Sequence, residues 1–359
     1  MISIIIWSWF FSLLVLTGYW MVIFRKKPSS RPKMIIDWPG VSIVIAHKNE
    51  GERFLQNLGL ILKLDYPLFE IIIVDDNSNE ENLKAIQNFT LEHAQIKVFQ
   101  NSGQGKKAAL LEGVNHASFD LILFTDADCE PSSDQWIRLM VKAGGRQGVV
   151  LGYGPYTKAS GWLNTFVRFE TVMTGIQYIS AALHGRPYMS VGRNILYPRH
   201  VFFEAMKGNS FLDVPYGDDD LTIQSLPPSV QYFVCYEEKA HVFSESAETW
   251  PALWKQKHRH MSAGHHYSFQ HWWRPGIFGI ALIFHWILLM VLFFCFPAMR
   301  FLPVFIIGLG IRWLCYGLWA ASLGDLDTVK FYPLLELQYA FYLGAMGMYT
   351  MMNKKKTWN

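Results

Sequence analysis

Two aspartates at the end of an apolar run are the residues of this sequence best suited to chemistry. Asp126 and Asp128 follow residues 121–125, whose composition predicts a buried strand. Side chains two residues apart along a strand lie on the same face, so both carboxylates can meet one ligand. Carboxylate oxygens suit a hard cation such as Mg²⁺ or Mn²⁺, which in turn binds diphosphate oxygens. An isolated Asp-x-Asp pair is also common in solvated loops, so the other motifs of the chain must show whether this pair binds a metal.

Strands and helices alternate along the middle of the chain. Four runs have the composition of buried strands, at residues 41–46, 70–74, 96–99 and 121–125. The segments between them carry helical patterns, and Asn77 or Ser78 is placed to cap the helix after the second strand. This βαβα alternation predicts an α/β fold with a largely parallel sheet and helices on both faces.

Polar residues follow three of these strands. The strands lead into His47-Lys48-Asn49-Glu50, into Asp75-Asp76-Asn77-Ser78 and into Asp126-Ala127-Asp128. Open α/β sheets bind ligands at the carboxyl ends of their strands, so these groups are expected at one site. A helix starting near Gly105 and Lys106 could add backbone amides and a cation for phosphate. Together these features predict a nucleotide site.

The N-terminal end of the chain is apolar. The whole sequence is 51% hydrophobic and only 17% charged, and residues 2–24 carry no charge over a length that could cross a bilayer. The basic run Arg25-Lys26-Lys27 follows at once. This order predicts a signal anchor whose following domain faces the cytoplasm.

The C-terminal end offers three candidate spans after Pro275, at residues 277–296, 302–323 and 332–352. The second contains Arg312 and the third Glu336, and such charges are tolerated only where they face protein, water or each other. Three crossings would also put Lys354-Lys355-Lys356 outside, against the charge rule. We therefore expect one segment, preferably the last, to be interfacial or re-entrant.

The net charge and the cysteine content of the chain indicate its cellular compartment and the kind of partner that it contacts. The four cysteines show no metal-ligand spacing and no disulfide framework, which fits a reducing cytoplasm. The net charge is +3, and the basic residues cluster beside the apolar ends. This pattern indicates contact with anionic lipid head groups and not with nucleic acid.

Six segments, taken in order, resemble the family 2 inverting glycosyltransferases with a GT-A fold, in their membrane-anchored bacterial form. The segments are residues 44–50, 74–78, 105–108, 125–128, 217–221 and 256–260, within a resemblance that covers about residues 41–267. The resemblance implies a Rossmann-like GT-A domain for nucleotide-diphospho-sugars, with transmembrane helices at both ends of the chain. The layout it implies is an anchor (1–24), a basic linker (25–37), the GT-A domain (38–250), an interfacial helix (251–275), a membrane region of two or three helices (276–352) and a basic tail (353–359).

The resemblance also assigns candidate site residues. The nucleotide sugar would contact Ala46, Glu50, Asp75, Asp76, Lys106 and Asp126, with Asp126 and Asp128 holding Mg²⁺ or Mn²⁺. Asp219 would be the catalytic base, and Asp218 or Asp220 would replace it if the register is off by one. Gln256 and Arg259, three residues apart on a helical pattern, would bind the diphosphate. Gly192, Asn194 and His260 would lie on the acceptor side.

One position departs from the family. The family pattern is Gln-x-x-Arg-Trp, whereas this chain has His260 in place of the tryptophan. The missing aromatic face counts against processive polymer synthesis. The nearby histidines at 258, 265 and 266 could suggest a metal site, but a His-rich and Trp-rich interfacial helix explains them equally well.

These observations predict a membrane-bound inverting glycosyltransferase of the hexosyltransferase type. It would move a sugar from a nucleotide diphosphate sugar, with a UDP-sugar as first choice, to a lipid-linked or glycan acceptor. The enzyme would be a multi-pass protein of the cell inner membrane with its catalytic domain in the cytoplasm. A processive polysaccharide synthase and a catalytically silent GT-A membrane scaffold remain as alternatives.

Overall fold

The structure is a computed structural model that describes residues 2–21, 37–207, 217–295 and 302–353. The chain divides into two compact units. We call Met1–Lys27, Lys158–Ser180 and Ala247–Lys356 the helical unit, and Pro28–Thr157, Ala181–Ser246 and Thr357–Asn359 the sheet unit. Residues 158–180 therefore group with the terminal helices, although the sequence placed them inside one continuous domain from 38 to 250. The basic runs at 25–27 and 354–356 lie outside the described residues.

The sheet unit is built on a seven-stranded sheet with the order β3-β2-β1-β4-β7-β6-β8. Its strands are β1 (Val41–His47), β2 (Phe69–Asp75), β3 (Ile96–Gln100), β4 (Leu121–Asp126), β6 (Val149–Gly152), β7 (Ile195–Pro198) and β8 (Tyr232–Cys235). A small second sheet pairs β5 (Glu130–Pro131) with β9 (Val242–Phe243). All four predicted strands are confirmed, within one or two residues at their ends.

The sheet is largely parallel, as predicted, but it is mixed because β7 runs against the other strands, while β6 and β8 pair in parallel. β1 is parallel to β2 and β4, and β2 is parallel to β3, as the βαβα pattern predicted. β7, however, runs antiparallel to both β4 and β6. Residues 195–198 form β7, a strand that is buried along its whole length and that the sequence analysis did not identify. Four apolar residues fit a buried strand as well as a helix, so periodicity could not distinguish them.

Helices of the sheet unit connect the strands. They are α2 (Gly51–Ile61), α3 (Glu80–Leu91), α4 (Gly105–His116), α5 (Trp136–Gly144), α7 (Arg199–Lys207) and α8 (Asp218–Ser225). The cap of α3 is Asn79, whose side chain accepts a hydrogen bond from the backbone N–H of Asn82 at 2.9 Å. The predicted cap at Asn77 or Ser78 was therefore wrong by one or two residues, because Asn77 adopts a positive φ in the preceding turn.

The helical unit contains α1 (Ile2–Trp20), most of α6 (Trp162–Leu183), α9 (Trp250–Ala263), α10 (Phe269–Cys295), α11 (Leu302–Ser322) and α12 (Tyr332–Met352). Within the described residues, two stretches are long and apolar enough to cross a membrane, His271–Phe294 and Phe305–Ser322. The apolar part of α1, Ser3–Tyr19, is shorter. α10 begins before Pro275 and continues through it, so the expected helix boundary at that proline was wrong.

The two charges predicted within the C-terminal apolar segments pair with each other. Nη1 of Arg312 on α11 lies 3.2 Å from Oε1 of Glu336 on α12, and both side chains are fully buried. The hydroxyl of Tyr332 donates to the same carboxylate oxygen at 2.5 Å. Pairing and hydrogen bonding are what make a buried charge tolerable, so the expectation that these charges face protein is confirmed.

Close packing of α4 on the sheet gives a testable prediction. A Cβ at position 113 would lie 2.4 Å from Cγ1 of Val44 on β1, so Gly113→Ala should lower the thermal unfolding temperature. Overpacking of this kind typically costs about 1–3 kcal/mol. Gly59→Ala on α2 is the matched control, since its Cβ would meet nothing within 4 Å. Alanine favours a helix over glycine, so the control should hold or raise the unfolding temperature, and equal shifts would contradict the packing.

Candidate active site

The predicted polar groups meet at one edge of the sheet unit because three strands are in register. Ala46 on β1 pairs with Val74 on β2 and with Asp126 on β4, and His47 pairs with Asp75. The carboxyl ends of the three strands therefore stop at the same level. This is the edge at which α/β sheets bind ligands.

His47 and Asp75 join the first two strand ends. Nδ1 of His47 lies 3.1 Å from Oδ1 of Asp75, and the backbone N–H of Glu50 donates to Nε2 at 3.3 Å. Because Nε2 accepts, the ring proton is on Nδ1 and is donated to the carboxylate. Burial lowers the pKa of His47, which keeps the ring neutral. The pair holds the loop after β1 against the loop after β2.

Asp75 is enclosed by this network. Its Oδ2 accepts from the backbone N–H of Ser78 at 3.1 Å and from Nε2 of Gln100 at 3.3 Å. Burial alone would raise the pKa of Asp75, but the hydrogen bonds from Ser78 and His47 outweigh it and the pKa is lowered. The structure places Asp75 below the surface, as a support for the loops, and its predicted contact with the nucleotide stays a prediction.

Asp76 ties the start of α4 to β2. Its Oδ1 accepts from Nδ2 of Asn101 at 2.6 Å and from the backbone N–H of Gly105 at 3.0 Å. Gly105 has a φ of +81°, a conformation that glycine adopts without strain. The next residue, Lys106, reaches across to Asp126 with Nζ 2.6 Å from Oδ1. The predicted nucleotide residues Asp76, Lys106 and Asp126 thus form one connected group.

Asp126 and Asp128 provide the candidate metal ligands. Ligand atoms of Asp126, Asp128 and Cys129 all lie within 4.8 Å of one another. Burial raises the pKa of Cys129 well above its usual range, so the thiol stays protonated and donates to Oδ1 of Asp128 at 3.3 Å. The hard carboxylate oxygens therefore remain as the ligands, a donor set that fits Mg²⁺ or Mn²⁺. The amide of Asn57 on α2 supports the turn by donating to the carbonyl of Ala127 at 3.1 Å.

Glu50 adds a third carboxylate to this edge. Partial burial and the negative charges of Asp128 and Asp126 raise the pKa of Glu50. A like-charge cluster of this kind is stabilised by a cation. The geometry therefore agrees with a divalent ion at Asp126 and Asp128, and a role of Glu50 with the nucleotide stays a prediction, as it does for Ala46.

Asp219, the candidate base, is held in a defined orientation. Its Oδ2 accepts from the backbone N–H of Gly192 at 3.1 Å, and its Oδ1 accepts from the N–H of Asp220 at 2.9 Å. Asp220 in turn accepts from the N–H of Ser190 at 3.3 Å. The acidic start of α8 therefore fastens the loop before β7. The side chain of Asp218 lies outside the described residues.

Asn194 is enclosed beneath this loop. Its Nδ2 donates to the carbonyls of Tyr153 and Ala240, both at 2.8 Å, and its Oδ1 accepts from Nε1 of Trp136 at 3.0 Å. The residue has no exposed surface. A direct acceptor contact by Asn194, as predicted from sequence, would require this network to open, whereas Gly192 beside Asp219 agrees with an acceptor-side position.

Arg193 was missed by the sequence reasoning. Its guanidinium donates to the carbonyl of Gly154 and its Cζ lies 5.0 Å from the ring centre of Tyr156. Burial alone would lower the pKa of Arg193, but surrounding groups that include Asp126 and Asp128 raise it. The available signal was a basic residue between a glycine and a fully apolar run, which is an unusual place for an unpaired charge.

Gln256, Arg259 and His260 belong to the helical unit. All three lie on α9, which confirms the predicted helix, and Gln256 and Arg259 are half-buried while His260 is exposed. His258 is buried, with Nδ1 3.2 Å from the hydroxyl of Thr350. His258 therefore packs inside the helical unit. The predicted diphosphate and acceptor roles of the other three stay predictions.

Comparisons with known proteins agree on the class of domain. A family model described as glycosyl transferase family 2 matches residues 42–202. The poly-beta-1,6-N-acetyl-D-glucosamine synthase of Staphylococcus epidermidis is 27% identical over 273 residues, which are 71% of this chain and 64% of that protein. The enzyme of the same name from Staphylococcus aureus COL is 26% identical, over 67% of this chain and 58% of that protein. The chain thus matches about three fifths of these relatives' length.

A solved structure resembles the fold over most of the chain. The mannosyltransferase PcManGT of Pyrobaculum calidifontis, determined with GDP-Man and Mn²⁺, superposes with a TM-score of 0.57. The match covers 92% of this chain and 97% of that one at 16% identity. At that identity the likeness shows the fold, which is GT-A.

The enclosed amide of Asn194 predicts a structural and not an acceptor role. Asn194→Ala should lower the unfolding temperature, because it leaves two carbonyls and one indole N–H unpaired at about 1–3 kcal/mol each. Asn194→Asp should be at least as damaging, since a carboxylate would face those carbonyls. Asn88→Ala on the exposed side of α3 is the control. An acceptor KM that changes in Asn194→Ala at unchanged stability would contradict the structural role.

Proposed function

Because residues 42–202 belong to glycosyl transferase family 2, we propose that the chain is a membrane-bound inverting glycosyltransferase. Its donor is a nucleotide diphosphate sugar, with a UDP-sugar as the first candidate. Its acceptor is a lipid-linked molecule or a glycan at the cytoplasmic face of the membrane. One observation carries the proposal: Asp126 ends a central strand of a GT-A sheet, Asp128 lies in the turn that follows, and their ligand atoms are within 4.8 Å of each other.

The residues at the carboxyl ends of the strands would each have a different role in binding the donor. Asp126 and Asp128 would hold Mg²⁺ or Mn²⁺, and the bound ion would neutralise charge on the departing diphosphate. Lys106 lies 2.6 Å from Asp126 and would bring a further cation to the phosphates at the start of α4. Asp76 fixes that helix start through Gly105. Water exclusion would strengthen all of these interactions.

Asp219 takes the acceptor proton in the proposed reaction. The bond between the anomeric carbon and the diphosphate oxygen breaks, and a bond from that carbon to the acceptor oxygen forms. The hydroxyl proton passes to Asp219. Hydrogen bonds from the backbone N–H groups of Gly192 and Asp220 fix the orientation of the carboxylate that would accept the proton. Displacement from one face inverts the anomeric centre.

The family pattern assigns Arg259 to the diphosphate and places Gln256 in the same motif. Their spacing puts both side chains on one face of α9, and a guanidinium can grip two phosphate oxygens at once. His260, exposed and next in sequence, would face the acceptor. These roles come from the family pattern.

The membrane assignment is supported by the helical unit. His271–Phe294 and Phe305–Ser322 have the length and composition of spans, and the exposed tryptophans Trp272 and Trp273 stand at the start of the first. The basic residues Arg25, Lys26 and Lys27 after the first apolar segment favour a cytoplasmic sheet unit. A membrane-bound enzyme suits an amphiphilic acceptor.

Polysaccharide synthesis is the second candidate. The relatives named poly-beta-1,6-N-acetyl-D-glucosamine synthase favour it, because they match 71% of this chain. His260 in place of the family's tryptophan counts against it. Incubating membranes with radiolabelled nucleotide sugars separates the two: single transfer gives one short labelled product in the lipid fraction, whereas a synthase gives long polymer. No incorporation and no nucleotide binding would leave the scaffold alternative.

The metal assignment predicts loss of function when either ligand is removed. Asp126→Ala and Asp128→Ala should each abolish transfer and metal-dependent binding of a nucleoside diphosphate, because the diphosphate loses its counter-ion. Calorimetry with Mn²⁺ present and absent measures binding, and scintillation counting measures transfer. The exposed Asp134→Ala is the control and should behave as wild type. Full activity of the wild type in EDTA would contradict the assignment.

The base assignment predicts a loss in the chemical step alone. Asp219→Asn keeps the size of the side chain and should reduce transfer about 100-fold or more, the usual scale for a general base. Affinity for the nucleoside diphosphate should stay within a few-fold. Asp218→Asn and Asp220→Asn are the register controls. If either of them shows the loss while Asp219→Asn does not, the base is a different aspartate.

A further inference from the structure

We propose that Arg193 binds the donor's sugar-bearing phosphate and so supplies a cation for the departing diphosphate. The inference rests on the proposed function and adds one residue to it. Arg193 lies in the loop before β7, between Gly192 and Asn194. The contacts of these two neighbours fix the position of the Arg193 backbone.

The backbone around Arg193 is fixed on both sides. Gly192 donates its N–H to the carboxylate of Asp219, while Asn194 is locked into the core by three hydrogen bonds. The backbone N–H of Asn194 also closes a turn by donating to the carbonyl of Val191 at 2.9 Å. Arg193 therefore cannot move far from the candidate base.

The side chain is held as firmly as the backbone. The guanidinium donates to the carbonyl of Gly154 and stacks over Tyr156. A Cβ at position 154 would lie 2.5 Å from Nε of Arg193, so this approach needs glycine. Such pre-organisation reduces the entropy lost when the guanidinium binds a ligand.

Arg193 still has donors to offer. Its Nε is buried and meets no acceptor among the described residues. A buried, unpaired guanidinium N–H is costly, and an oxyanion of the ligand would satisfy it. β7 is antiparallel to β4 with Ile195 opposite Phe124, so Arg193, two residues before Ile195, lies level with Asp126, two residues after Phe124. The charges of Asp126 and Asp128 also contribute to raising the pKa of Arg193.

This position selects one phosphate of the donor. The anomeric carbon must lie between the acceptor, next to Asp219, and the diphosphate, next to Asp126 and Asp128. The phosphate nearer to Asp219 is the one that carries the sugar. Since Arg193 follows the residue bound to Asp219, it faces that phosphate and not the one attached to the nucleoside.

A purely structural role is the competing explanation. Arg193 could serve only as a counter-ion that neutralises part of the charge of Asp126 and Asp128. In that case its removal would change metal binding, and through the metal it would change the binding of both nucleotides by the same factor. A phosphate contact instead affects only ligands that carry the second phosphate, so two ligands can separate the explanations.

The experiment compares a nucleoside diphosphate with its monophosphate. UDP, GDP, CDP and dTDP are first screened by calorimetry against the full chain in lipid nanodiscs with Mn²⁺, and the tightest is paired with its monophosphate. Arg193→Gln should weaken diphosphate binding about 10- to 100-fold, as expected for a hydrogen bond to a charged group, while the monophosphate changes less than about 2-fold. Arg193→Lys keeps the charge without the fork, so it should show a smaller loss in the same direction.

Arg138→Gln is the matched control. Arg138 pairs with Asp65 at 2.9 Å and lies over Trp38, at the opposite end of the sheet. Equal weakening of both ligands, or an unchanged diphosphate-to-monophosphate ratio in both Arg193 variants, would overturn the inference while the proposed function stands. A wild-type chain that binds none of the diphosphates would overturn the proposed function itself.

Discussion

The register between β1 and its two parallel neighbours is the constraint on which the candidate site depends. Because Ala46 is level with both Val74 and Asp126, three loops start at the same height and their short polar side chains can meet. The buried His47 and Asp75 pair then holds two of the loops together. A slip of one residue in the strand pairing would turn every side chain of that strand to the opposite face of the sheet. Burial of apolar side chains on both faces therefore fixes the register, and the register in turn fixes the positions of the polar residues at the strand ends.

Negative charge dominates the edge that this register creates. Partial burial, together with the charges of Asp128 and Asp126, raises the pKa of Glu50. Lys106 and Arg193 approach the group from two different elements, α4 and the loop before β7. The site therefore combines carboxylates that attract a cation with cations that attract phosphate. A site that binds a metal ion together with a diphosphate needs both kinds of group, since neither kind alone balances the charges of the metal ion and the phosphates.

The first half of the sheet was predictable from the sequence, and the second half was not. Four apolar runs bounded by polar turns identify β1 to β4, because continuous burial leaves a clear pattern. β6 and β7 are only four residues long, and the antiparallel pairing of β7 depends on contacts distant in sequence. The aspartates of the strand ends were found because their spacing is local. Arg193 and the enclosed amide of Asn194 were not, because the partners that define them, such as Gly154 and Trp136, are far away along the chain.

The buried pair of Arg312 and Glu336 has a consequence for biogenesis. A ribosome synthesises α11 before α12, so Arg312 emerges while its partner is still unmade. A lone arginine costs several kcal/mol in the middle of a bilayer, about 2.5–3.5 kcal/mol on insertion scales. If α11 spans a membrane as proposed, its apolar length alone would understate the difficulty of its integration. The translocon would then have to retain α11 until Glu336 is made and can pair with Arg312.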